Sequence, residues 1–83
     1  MTNEMNEIAT ALNLVPYVEN GRLKVVGPAG DCIKFWAAQG YDVVTDHIGP
    51  TTKSWSVRRD GEHYAMILHA DGFDEAYSYT RRS

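Results

Sequence analysis

Hydrophobic and polar positions alternate with period two through the second half of the chain, from Trp55 to Arg82, and two Asp-Gly pairs, Asp60-Gly61 and Asp71-Gly72, punctuate the alternation. Asp-Gly between alternating hydrophobics predicts a β-hairpin, because a type I′ turn needs positive φ at both central residues. With each pair as a two-residue loop, the first turn sets Arg59 opposite Glu62, Val57 opposite Tyr64 and Trp55 opposite Met66. The second sets Leu68 opposite Glu75, Met66 opposite Tyr77 and Tyr64 opposite Tyr79. Directly opposed residues share a sheet face. One face therefore collects Trp55, Val57, Tyr64, Met66, Leu68, Tyr77 and Tyr79, and the other Ser54, Ser56, Arg58, His63, Ala65, Ile67, His69, Asp74, Ala76, Ser78 and Thr80. The aromatic face is the expected core, and the small-residue face is the expected open surface.

The first half is organised differently. Met5, Ile8, Ala9 and Leu12 recur at helical spacing and predict an amphipathic helix over 3–13. Pro16 blocks its propagation, and Asn20-Gly21 predicts a further hairpin over 17–26, with Glu19 opposite Arg22 and Val18 opposite Leu23. After the loop Gly27-Pro28-Ala29-Gly30, Asp31 is a good N-cap for a helix over 32–39, ended by Gly40 in the C′ position. Strands are expected over 41–48, 54–60, 62–69 and 75–81. The order is α-ββ-α-ββββ, a single α+β domain over 1–83 whose helices pack on the aromatic face of an antiparallel C-terminal meander.

Composition narrows the function more than the fold. The 83 residues carry 8 Lys+Arg against 11 Asp+Glu, a net charge of −3, which argues against a general polyanion binder. A single cysteine, Cys32, has no partner for an internal disulfide, and no Cys/His spacing matches a zinc finger. No basic, apolar leader opens the chain, and no run reaches the roughly 18 apolar residues of a membrane span. The expectation is an intracellular, cytoplasmic protein with no membrane contact, cofactor or metal.

Three constellations can be weighed as chemistry. Cys32 at the first turn of a helix would feel the positive end of the dipole, which favours thiolate, and His63 opens a later strand. Asp31-Cys32 and His63-Tyr64 resemble in order the small NlpC/P60-type cysteine peptidases, whose nucleophile opens a helix and whose base opens a strand. The resemblance implies a cysteine-dependent hydrolase using Cys32 and His63. Against it, Asp31 would raise the thiol pKa, and the hairpin register sends His63 to the face away from the helix. His63 and His69 stand six residues apart on one strand, roughly 20 Å, too far to share an ion. Arg58, Arg81 and Arg82 could grip phosphates in a nucleic-acid or nucleotide binder, but the same register consigns the aromatics to the core and removes the stacking platform.

The leading expectation is a small non-enzymatic binding protein, an inhibitor or adaptor working through protein-protein contacts. In size it falls with phage-encoded inhibitors of host defence such as anti-CRISPR proteins. Its candidate contact residues are Arg58, His63, His69 and Asp74 on the open face, with Asp42, Asp46 and Lys53 at the edge. A flat face of small residues would also accept a second copy, and an edge strand would accept a partner strand.

Overall fold

A computed structural model describes residues 3–80. Helix α1 (Asn3–Ala11) leads into strands β1 (Val15–Glu19) and β2 (Arg22–Gly27). Helix α2 (Ala29–Ala37) is followed by β3 (Asp42–Ile48), β4 (Thr52–Arg59), β5 (Glu62–Ala70) and β6 (Ala76–Thr80). The strands form one six-stranded antiparallel sheet in the order β1-β2-β6-β5-β4-β3. The α+β class and the order α-ββ-α-ββββ follow the sequence pattern. The last strand, however, lies inside the sheet between β2 and β5, so the edges are β1 and β3, and β6 is not available to a partner strand.

Two of the three Asx-Gly pairs form the expected two-residue turns. Asn20 and Gly21 take φ of 53° and 74°, and Asp60 and Gly61 take 54° and 80°. Their strands pair as predicted at Glu19 with Arg22 and at Arg59 with Glu62. At Asp71-Gly72 only Gly72 has positive φ, and the connection runs on to Glu75. Leu68 accordingly faces Tyr77 and Met66 faces Tyr79, a shift of two residues that by itself keeps the same β5 and β6 side chains together on one face.

A bulge decides what the helices cover. Arg58 faces His63 but Val57 faces Ala65, so Tyr64 is the extra residue on β5. Beyond it Trp55 faces Ile67, not Met66. The helices do pack on the face carrying Trp55, Val57 and Tyr64, but the bulge brings Ala65, Ile67, Ala76 and Ser78 onto that face. Met66, Leu68, Tyr77 and Tyr79 are turned to the other side. The small-residue stripe on β5 and β6, expected to be open, is therefore the floor of the core: Ala65, Ile67, Ala76 and Ser78 are all buried.

The physical reason lies in helix α2, which brings Phe35 and Trp36 down side by side, both fully buried. Two large aromatics fit against a sheet only where the opposing side chains are small. The indole Nε1 of Trp36 donates to Ser78 Oγ at 2.6 Å, so the polar groups that the packing buries satisfy each other. Met5, Ile8, Ala9 and Leu12 of the first helical stretch join the same core, together with Leu14. Gly27 lets that segment approach β2, since a Cβ there would run into the Leu14 side chain.

Candidate functional site

Helix α2 begins at Ala29, with Pro28 at the N-cap position, three residues earlier than the Asp31 cap suggests. Cys32 is therefore the fourth helical residue, and its amide already donates to Pro28 O at 3.0 Å. The side chain is fully buried, with Sγ 3.8 Å from Gly27 O. Burial, reinforced by Asp31 and Glu75, pushes the thiol pKa up to about 11. His63 sits across the sheet from Arg58, on the rim of a concavity it shares with Tyr41, Arg59, Asp60, Glu62 and Tyr64. Nothing about this placement joins His63 to Cys32.

The rim concavity is held by contacts internal to the domain. Arg59 lies over the Tyr41 ring, 3.8 Å from its centroid, and donates to Gln39 O at 2.5 Å, just past the end of α2. Tyr41 stacks on Tyr64 at 4.7 Å, and Tyr64 meets Trp36 edge-on at 5.6 Å. Burial raises the Tyr41 pKa, with help from the Tyr64 hydroxyl. Arg59 and the tyrosines thus fasten the end of α2 to the β4–β5 turn.

Five of the seven residues expected to make contacts fall into two groups, and Asp46 and Asp74 stand apart from both. Asp42, Arg58 and His63 form one row across β3, β4 and β5, with Arg58 Nε donating to Ser56 Oγ at 3.1 Å. Thr80 does not extend that row; it faces Ala65 and accepts from Leu23 N at 3.0 Å. Lys53 and His69 face each other at the opposite end of the sheet. His69 does not pair with Asp74: its Nε2 is 2.7 Å from Phe73 O, a contact that shapes the β5–β6 loop. Asp74 is exposed in that loop, and Asp46 is exposed at the bulge of β3. Arg81 and Arg82 lie outside the described residues.

The surface that sequence reasoning missed is the uncovered sheet face itself. One row across all six strands reads Val15, Val26, Tyr77, Leu68, Ser54, His47, and the next reads Tyr17, Lys24, Tyr79, Met66, Ser56, Val44. Tyr17 is 40% exposed and Tyr77 44%, and no described element covers them. Arg22 lies 5.7 Å from the Tyr79 centroid, and Lys24 Nζ pairs with Glu19 Oε1 at 2.9 Å, which holds the ammonium pKa up. At the other end, Phe73 is 69% exposed and borders a concavity with Leu68, Ala70, Glu75 and Tyr77. The signal available was size: Ala65, Ala76 and Ser78 leave room for a helix carrying Trp36, whereas tyrosines do not.

Among the described residues, no three His, Cys, Asp or Glu side chains gather as a metal-binding set, and no helix is long and apolar enough to cross a membrane. Set against known proteins, the chain matches no family model, no curated protein and no solved structure.

Proposed function

We propose that the protein is a non-enzymatic binding protein, an inhibitor or adaptor that acts through protein-protein contacts, and that its working surface is the uncovered face of the sheet. The observation that carries this reading is the one-sided packing: both helices serve one face, leaving Tyr17, Tyr77, Tyr79, Met66 and Leu68 on the other. Tyrosine, methionine and arginine are the side chains that protein interfaces favour, and contiguous apolar patches of this kind on small proteins mark contact sites. The edges are less inviting. Pro16 on β1 lacks an amide donor, and β3 carries a register shift between Thr45 and His47, both devices that discourage strand addition.

Exposure of the tyrosines returns a stacking platform to the nucleic-acid reading. Its electrostatics are poorer: Lys24 is engaged by Glu19, and Glu75 stands on the same side. The hydrolase reading has weaker support, because Cys32 is buried and burial raises its thiol pKa, both of which work against a nucleophile.

Capture from a native lysate tests the proposal. The immobilised wild type should retain a protein that Tyr77→Glu fails to retain, with the thermal midpoint of the variant within a few degrees of the parent. Equal capture by both proteins would remove the sheet face from consideration.

A further inference from the structure

Resting on the reading of the sheet face as a protein-contact surface, we infer that the face is covered, in the absence of another partner, by a second copy of this chain in a two-fold, face-to-face dimer. The argument is charge complementarity. Arg22 lies at one end of the uncovered face, beyond the level where Lys24 meets Tyr79. Glu75 lies at the other end, beside Tyr77, in a loop that also carries Asp71 and Asp74. Between them the surface is Tyr77, Tyr79, Val26, Met66 and Leu68. Among the described residues neither Arg22 nor Glu75 has an opposite charge within ion-pair distance, since the one ion pair is Lys24 with Glu19.

Such a surface, net cationic at one end, where Arg22 and Lys24 outnumber Glu19, apolar in the middle and acidic at the other, is complementary to itself. A two-fold axis lying between two facing sheets, and running across the strands between Tyr77 and Tyr79, reverses the strand direction. It carries the Arg22 end of one copy over the Glu75 end of the other, twice, as a closed isologous contact requires. The level of Glu75 and the level of Arg22 are about six residues apart, roughly 20 Å, and the axis bisects that span. The tyrosine pair then meets its own copy in aligned sheet packing.

Area sets the strength. Six strands at about 4.8 Å spacing and five residues deep give a footprint of roughly 500 Å². This falls short of the ~800 Å² that each partner contributes to a standard stable interface. The dimer is accordingly weak and concentration-dependent, able to shield the tyrosines and to yield to a tighter partner.

The test is sedimentation equilibrium of the full chain over a wide concentration range, with reciprocal charge variants. Wild type should show a monomer–dimer equilibrium. Arg22→Glu and Glu75→Arg should each weaken it at least tenfold, and the double variant, Arg22→Glu with Glu75→Arg, should restore it. Circular dichroism melting identifies any variant that loses its fold, and Tyr77→Ser serves as a second disruption that adds no charge. A wild type that stays monomeric overturns the inference, as does a dimer indifferent to both single charge changes. A monomer that binds a fluorescein-labelled oligothymidylate, with binding lost in Tyr77→Glu, also overturns it and replaces the protein reading. If the chain is monomeric and Tyr77→Glu still loses a protein captured from lysate, self-association fails while the proposed function stands.

Discussion

Trp36 makes the most consequential single contact. Its indole crosses 42 residues of sequence to reach Ser78, and both groups are fully buried. Trp36→Phe keeps most of the volume but strands the serine hydroxyl, which should cost about 1–3 kcal/mol in urea denaturation. Adding Ser78→Ala should recover part of that loss, since the orphaned hydroxyl goes with it. Cys32 yields a prediction of a different kind. Its thiol should react with iodoacetamide far more slowly in the native protein than in denaturant. Because its folded pKa of about 11 exceeds that of an unfolded thiol, the native state holds the proton more tightly. That contribution is fully present below pH 8 and is lost as pH rises through about 9 to 11. The loss, on the order of 3 kcal/mol, should appear in wild type and be absent from Cys32→Ala.

Among the elements, the β4–β5 hairpin shows how far local chemistry reaches. Asp60-Gly61 has the turn geometry its residue types require, so Gly61→Ala, which places a Cβ at φ 80°, should destabilise by about 1–2 kcal/mol as read by the denaturation midpoint. Turn chemistry of this sort was legible because it depends on two adjacent residues. The helices were legible too, through the helical spacing of Met5, Ile8, Ala9 and Leu12 and of Ile33, Trp36 and Ala37, though the fully buried Phe35 lay outside that stripe. The bulge at Tyr64 was not. A single extra residue leaves composition and local alternation intact, and its effect emerges only when β5 is docked against both β4 and the helix above. Tyr64 itself goes where the alternation sends it, toward Trp36, while every residue after it changes sides relative to β4. The candidate site moved for that reason. Arg58 and His63 remain neighbours, as expected, whereas the tyrosines assigned to the interior became the surface.

For the molecule as a whole, the division of labour between the two faces is the property from which function is argued. One face holds the aromatic cluster of Phe35, Trp36, Tyr41 and Tyr64 under two short helices. The other presents tyrosines on β1 and β6 beside the cations of β2. A sheet built this way has one side fastened to its own chain and one side that no described element covers.

The insertion of β6 between β2 and β5 also bears on how the domain is made. The β1–β2 hairpin and the β3–β4–β5 meander do not pair with each other; within the sheet only β6 joins them, while α2 packs across both. During synthesis the ribosome must therefore deliver all the earlier elements before the strand that unites them emerges. Until that moment β2 and β5 each offer an unpaired backbone edge, and Trp36 has no serine beneath it. Residues 76–80 act as a keystone, and the nascent chain is most exposed to misassociation just before they leave the exit tunnel.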